Sequence, residues 1–282
     1  MASLTGPVYV PAPNPVVPRY GLLTVATGPL DLPIPARRGG LQYEISVCNL
    51  PNAYEVECYS DLGEKTLTNS TTVVTGAPFI VYSAIRCSPV GLANWGEDRV
   101  QKFLYDQLVA GEQATVERTF STSASGQFPG LSGNPAVVNL GTADGIDGGV
   151  STLEGWLYAR YGLPGVIHAP ASVGAYFTNP LVEKDSRGVW RTPLTTAVSF
   201  GNYAGTGPTG QATAAGEVWL YITGQVAIYR TPDSDLFSPP MGQVLNRGTN
   251  VITMVMEREY VVTYDCYVAA VLVALDPPEE VI

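Results

Sequence analysis

Few side chains in this sequence have the type and spacing to do chemistry. The single histidine, His168, lies between Ile167 and Ala169 and could act as a general base or metal ligand. No second histidine exists and no cysteine or carboxylate cluster lies near it in sequence, so a histidine packed in an apolar strand is the better reading. A Ser-His-Asp triad is defined by geometry, which spacing does not decide. The nucleophile elbow GxSxG is absent, however, because Gly130-Leu131-Ser132-Gly133-Asn134 fails at its last position. Asp144 and Asp147 in ADGIDGG place two carboxylates on a glycine-rich stretch, as a calcium loop would. Their spacing is not that of an EF-hand, and Asp-Gly turns account for them. The glycines of GNYAGTGPTG, residues 201–210, lack both GK[ST] and GxGxxG, which leaves a flexible loop and no phosphate cradle. Asn69-Ser70-Thr71 matches a glycosylation acceptor but has no accompanying signal peptide. Lys65 is the one exposed-looking nucleophile, and its ordinary role is a charge that keeps a strand soluble. These residues give no catalytic, cofactor-binding or metal site, and we expect a chain that is not an enzyme and carries no cofactor.

The elements that would hold such residues are mostly strands. Eight prolines precede Gly40 (Pro7, Pro11, Pro13, Pro15, Pro18, Pro29, Pro33 and Pro35), favouring an extended or polyproline II arm over residues 1–40. Such an arm either wraps a neighbouring subunit or packs on its own domain. From Tyr54 to Tyr59 apolar and acidic residues largely alternate; Asp61-Leu62-Gly63-Glu64 supplies a turn, and Lys65–Val74 returns as a Thr-rich strand. This predicts a long hairpin with few large apolar residues on its return strand, projecting from the core toward an outside partner. Ala77–Cys87 reads as a core strand.

Asn94–Phe120 is the strongest helix, with Val100, Phe103, Leu104, Leu108, Val116 and Phe120 at roughly helical spacing and Gly111 as a point of bending. A second helix is predicted to start at the capping-box pattern Ser151-Thr152-Leu153-Glu154 and to stop at Gly162, after a loop over residues 141–149. Then come a strand at Gly165–His168, a short helix at Pro170–Thr178, a strand at Thr195–Phe200, and GEVWLYITGQVAIYR, residues 216–230, which suggests a hairpin or bulge about Gly224. Asn250–Leu275 supplies one or two long strands.

The composition bounds what these elements can do. The 282 residues suffice for a large core, and 30 Gly and 23 Pro among abundant Val, Thr and Tyr predict a β-rich α+β protein. Only 14% of residues are charged against 45% hydrophobic, which suggests a surface made for contact with other protein. A net charge of −10 without a basic cluster disfavours direct DNA binding. Cys48, Cys58, Cys87 and Cys266 have neither zinc spacing nor the density of a disulfide scaffold and read as buried small hydrophobes. No signal peptide is recognised, so synthesis in the cytosol is expected, and the apolar run Cys266–Leu275 is too short for a bilayer, so no membrane partner is expected.

Arm, projecting hairpin, long helix, compact α/β unit and returning strands follow in the order of the Hong Kong 97-type capsid fold of tailed phages. STLEGWLYARYGLPGVIHAPASVGAYFTN, RTPLTTAVSFGNYAGTG and AGEVWLYITGQVAIYR resemble axial-domain patterns of phage major capsid proteins, and MEREYVVTYDCYVAAVLVAL resembles their closing strands. The resemblance implies an N-arm over residues 1–40, an E-loop hairpin and peripheral-domain strand over 41–90, a peripheral domain with spine helix over 91–145, an axial domain over 146–230 and closing peripheral strands over 231–282. It implies a major capsid protein that forms pentamers and hexamers, closes an icosahedral head shell in the virion and encloses DNA without binding it specifically. A separate scaffolding protein and a portal follow from it, since no charged helical segment for cleavage is seen. Some relatives cross-link an E-loop lysine to an asparagine; Lys65 could stand there, although neither the acidic catalyst nor the Asn partner is identified. The rival readings are an encapsulin-like nanocompartment shell, a soluble hydrolase built around His168, and a β-rich adhesin or head decoration protein.

Overall fold

A computed structural model of the chain describes residues 20–51, 71–88, 96–122, 130–178, 180–236, 245–246, 248–249 and 251–275. In chain order these form α1 (Leu22–Val25), β1 (Thr27–Asp31), α2 (Ala36–Gly39), β2 (Leu41–Ile45), β3 (Thr72–Gly76), β4 (Pro78–Cys87), α3 (Glu97–Thr122), β5 (Val138–Asp144), α4 (Gly145–Tyr161) and β6 (Val166–Pro170). A 3-10 helix (Ala171–Tyr176) is followed by β7 (Glu183–Lys184), β8 (Trp190–Arg191), β9 (Ala197–Gly201), β10 (Glu217–Thr223), β11 (Val226–Arg230), β12 (Leu245–Asn246), β13 (Val251–Tyr264) and β14 (Val268–Ala274). The β-rich α+β reading is correct.

The strands assemble into a five-stranded sheet, in which β1, β11 and β13 run side by side with β4 and β12 also on β13, and a seven-stranded sheet of order β5-β14-β10-β6-β9-β8-β7. One antiparallel ribbon runs through both. β10 pairs with β14 from Glu217↔Ala274 to Thr223↔Val268, and β11 pairs with β13 from Val226↔Tyr264 to Arg230↔Tyr260. Gly224 and Gln225 thus face Asp265, Cys266 and Tyr267, and the extra residue makes a bulge that bends the ribbon from one sheet into the other. The Gly224 N–H donates to the Tyr267 carbonyl at 3.0 Å and the Asp265 N–H to the Gln225 carbonyl at 2.9 Å. A Cβ on Gly224 would lie 2.8 Å from the Asp265 carbonyl oxygen, so the crossing needs glycine. The sequence reading of a hairpin or bulge about Gly224 resolves as the bulge, with a partner strand some forty residues downstream.

Each helix covers a sheet face. Val100, Leu104, Leu108, Val116 and Phe120 of α3 are buried against β4 and β13, as their spacing predicts, and the helix is continuous through Gly111. Phe103 departs from the predicted stripe and is 43% exposed. Ile146, Val150, Leu153 and Leu157 of α4 pack on Leu220, Ile222, Val271 and Val273, while Trp219 and Tyr221 turn to the other core. β10 is therefore covered on both faces, the condition under which a strand reads as a continuous apolar run.

Two carboxylates are buried on α3. Glu112 accepts hydrogen bonds from Arg230 Nη1 at 3.1 Å, from the Tyr260 hydroxyl at 2.5 Å and from Arg258, whose guanidinium also pairs with Asp233. Glu117 accepts from the backbone N–H of Leu22 at 2.9 Å and of Asn202 at 2.8 Å. Desolvation by burial raises its pKa, opposed by these two bonds.

Several expectations are corrected. Of the two readings left open for the arm, packing on its own domain holds for residues 20–40: Leu22, Leu32 and Ala36 are buried, and β1 pairs in parallel with β11. Residues 1–19 lie outside the described residues, as do Lys65 and the hairpin tip. The end of the predicted return strand pairs with β2, Leu41↔Gly76 to Ile45↔Thr72, upstream of the expected partner Tyr54–Tyr59. α4 begins at Gly145, so Ser151 and Glu154 lie inside it and the predicted loop over 141–149 is strand and helix. Gly149 explains why helix wins there, since a Cβ would meet Val273 at 2.5 Å: the glycines let α4 sit down on the sheet. The stop at Gly162 is as predicted, with a left-handed φ of 69°. Cys48 and Cys266 are not free hydrophobes but a disulfide, Cα atoms 5.5 Å apart, joining the segment just after β2 to the ribbon bulge. Sheet membership also cuts across the sequence division: β5 and β14 belong with α4, and β11 belongs with β13, because strand pairing follows the bent ribbon rather than chain order.

Two measurements test this packing. Arg258→Ala leaves Glu112 buried without its main cation and should cost about 3–5 kcal/mol in urea unfolding of the unassembled subunit. Reductant should lower the unfolding free energy by roughly 2–5 kcal/mol, and Cys48→Ser should show the loss already and no further response to reductant.

Candidate assembly surface

Among the described residues, those singled out for chemistry do not converge. His168 on β6 is fully buried, with Nδ1 3.2 Å from the Tyr203 hydroxyl and Nε2 2.9 Å from Thr223 Oγ1. Tyr203 in turn lies 2.6 Å from Ser199 Oγ, which makes a closed polar chain inside the core. Burial pushes the imidazole down to about 3, so it is neutral at ordinary pH. Ser132 is engaged elsewhere, with Thr206 Oγ1 at 2.5 Å and the Gly207 carbonyl at 3.3 Å. Asp144 is the N-cap residue of α4 and Asp147 sits in its first turn, where negative charge suits the helix dipole. Among the described residues no group of three or more His, Cys, Asp or Glu is placed to hold a metal ion, and no helix is long and apolar enough to cross a membrane. Asn69 and Ser70 of the glycosylation pattern lie outside the described residues.

The surface carries more information than the interior. Along β4, Phe79, Val81 and Ser83 turn toward α3, and the Ser83 hydroxyl donates to the Leu104 carbonyl at 2.7 Å. Ile80, Tyr82, Ala84 and Arg86 alternate to the opposite face. Their cross-strand partners on β13 are Glu259, Glu257, Val255 and Thr253. Ile80 is 51% exposed and Tyr82 65%. Beside them a cleft of about 510 Å³ is lined by Ile34, Arg37, Arg38, Glu257 and Glu259, with Ile34 72% exposed. This face of the five-stranded sheet has apolar anchors in its middle and charges of both signs around them, the anatomy of a protein interface. Above it stands the hairpin of β2 and β3, with Val73 48% exposed, tied to the body by the Tyr43 hydroxyl 3.0 Å from Thr263 Oγ1 and by the disulfide.

No family model matches the sequence and no curated protein matches it. Solved structures do match. A chain from the capsid of the empty GTA particle superposes with a TM-score of 0.60 at 12% identity, covering 96% of each chain. The corresponding chain of the native GTA particle gives 0.58 at 12% identity, over 97% of this chain and 96% of that one. This is the capsid fold of tailed phages. A chain from Mycobacterium phage Cain shares it with a TM-score of 0.55 at 12% identity, over 98% and 97% of the two chains. The Hong Kong 97-type resemblance read from the order of elements is therefore correct at the level of fold. Sequence reasoning missed the interior anchors Glu112, Glu117 and Arg258. The signal for the first two was a charge on the apolar stripe of α3; for Arg258 it was an alternation, Ile252, Met254, Met256, Arg258, Tyr260, that put the guanidinium inside.

The buried imidazole makes a pH prediction. Because the folded state holds His168 neutral down to about 3 while the unfolded chain binds a proton near 6.5, the unfolded state carries more protons between those values. The stabilisation is complete above pH 6.5 and is lost as pH falls toward 3, at up to about 1.4 kcal/mol per pH unit. Urea unfolding of His168→Gln between pH 7 and 4 should lack this part of the slope.

Proposed function

We propose that the chain is the major capsid protein of a tailed bacteriophage, a structural protein that self-assembles into the icosahedral head shell around the DNA genome. The observation that carries this reading is the capsid fold matched over 96% of both chains, on a molecule whose outer sheet face presents Ile34, Ile80 and Tyr82. In this reading α3 is the spine helix, the five-stranded sheet belongs to the peripheral domain and the seven-stranded sheet with α4 forms the axial domain. Residues 41–90 contain the E-loop, and residues 1–19 form the outer part of the N-arm. Pentamers and hexamers then supply the shell, a separate scaffolding protein and a portal direct its closure, and the chain resides in the virion after synthesis in the host cytoplasm. The low charge favours close subunit packing, and a net charge of −10 lets enclosed DNA lie against the wall without adhering. The full burial of His168 and the engagement of Ser132 with Thr206 and Gly207 support a role without catalysis.

Electron microscopy of the purified protein, alone and co-expressed with its scaffold, tests the proposal: closed shells are expected, and a persistent monomer under both conditions overturns it. Ile80→Asp combined with Tyr82→Asp should abolish shell formation while changing subunit stability by no more than about 0.5 kcal/mol, as surface substitutions do.

A further inference from the structure

The Cys48–Cys266 disulfide stands at the margin of the packed interior. Cys48 is buried, Cys266 is partly exposed, and neither is a buried member of the hydrophobic clusters that fill the two cores. The bulge that carries Cys266 has other supports. The Gly224 N–H on the Tyr267 carbonyl and the Asp265 N–H on the Gln225 carbonyl hold its backbone, and the Tyr161 hydroxyl donates to Asp265 at 2.8 Å.

The Cys48 side of the bond is held more lightly. Among the described residues, no backbone-to-backbone hydrogen bond ties Ser46–Pro51 to the body. The Tyr267 hydroxyl donates to the Cys48 carbonyl, and Leu50 lies against Gly162, where a Cβ would come within 2.7 Å of Leu50 Cδ2. These residues follow β2, which pairs only with β3 in a two-stranded ribbon of its own. A lone two-stranded ribbon is marginal in water, so its attachments decide whether it stays formed. At its base Gly76 is pressed against Val261 and Thr263, and midway the Tyr43 hydroxyl meets Thr263 Oγ1 at 3.0 Å. Beyond Ile45 the hold passes to the disulfide.

We propose that this disulfide is a reversible clasp on the β2–β3 ribbon, and that Cys266 Sγ is the atom at which a small thiol of the glutathione class opens it. Cys266 is the more exposed of the two residues, so an incoming thiolate reaches its sulfur first. The thiolate bonds to Cys266 Sγ, the bond between the two protein sulfurs breaks, and Cys48 leaves as a thiolate that takes up a proton. A second glutathione thiolate then attacks the sulfur of the attached glutathione, which releases the Cys266 thiolate and oxidised glutathione. Two electrons thus pass from two glutathione thiols to the protein disulfide, and oxidised glutathione drives the same steps in reverse. With the clasp open, Ser46–Pro51 keeps only non-covalent ties such as the Tyr267 hydrogen bond, and the ribbon frays from its Ile45–Thr72 end while both cores stay closed. The proposal is independent of the capsid reading.

Hydrogen exchange of the full-length, unassembled subunit in glutathione buffers tests it. The amides of β2 and β3 should exchange about tenfold faster in reduced than in oxidised buffer while those of β10 and β14 keep their rates, because exchange follows the local open population. Cys48→Ser should show the faster ribbon rates in either buffer. When oxidised protein is mixed with reduced glutathione and quenched early with an alkylating agent, peptide mapping should find glutathione on Cys266 and the alkyl group on Cys48. Ribbon rates that ignore the buffer, core strands that speed as much as the ribbon, or glutathione trapped on Cys48 would each overturn the assignment.

Discussion

The bent ribbon is the constraint on which the rest of the structure depends. β10 and β11 on one side and β14 and β13 on the other share one antiparallel pairing, and a single extra residue at Asp265–Tyr267 turns it from the seven-stranded sheet into the five-stranded one. Everything else attaches to it. β1 adds to β11, β4 adds to β13, β5 adds to β14, and β6 adds to β10. The bulge is itself fastened from three directions: the Tyr161 hydroxyl donates to Asp265 at 2.8 Å, Gln225 Nε2 donates to the Pro164 carbonyl at 2.5 Å, and Cys266 carries the disulfide to Cys48. The two sheets are thus held at one mutual angle, and the segment just after β2 is held to the same joint.

Buried charge complements this frame. Glu112 gathers Arg230, Arg258 and Tyr260 from two adjacent strands of the ribbon's five-stranded half, while Glu117, little more than one turn further along α3, gathers the backbone of the amino-terminal segment and of the loop after β9. Groups of this kind add little net stability over an apolar alternative but penalise any other register strongly, since a misplaced carboxylate would be buried alone. The helix is fixed along its axis as well as against the sheet. The outer face of the five-stranded sheet is free of such demands, which lets it carry Ile80, Tyr82 and mixed charges.

The sequence revealed what depends on local periodicity. The stripe from Val100 to Phe120, the left-handed stop at Gly162 and the strands at Val166 and Ala197 are encoded within a few residues of themselves. Elements whose form is decided by distant contacts were not legible. The start of α4 was displaced because its first turns are glycine-rich, and only the closeness of Val273 explains why glycine serves there. The disulfide joins residues 218 apart, a separation at which spacing says nothing. For residues 20–40 the sequence left open whether the arm wraps a neighbour or packs on its own domain, because the partners, β11 and Glu117, lie far along the chain. Of the candidate chemistry, the core role of His168 was legible from its apolar flanks, whereas Glu112 and Glu117 required knowing which side of α3 faces the strands.

The order of pairing bears on how the protein is made. β13 is central to one sheet, β14 lies between β5 and β10 in the other, and both come from residues 251–274, close to the carboxyl end. A nascent chain emerging from the ribosome therefore has edges of β4, β5, β10 and β11 exposed and unpaired until residues 251–274 are translated. Chains cut short before residue 251 lack the middle of both sheets. Neither core can close until β13 and β14 are present, so the two sheets are completed together or not at all.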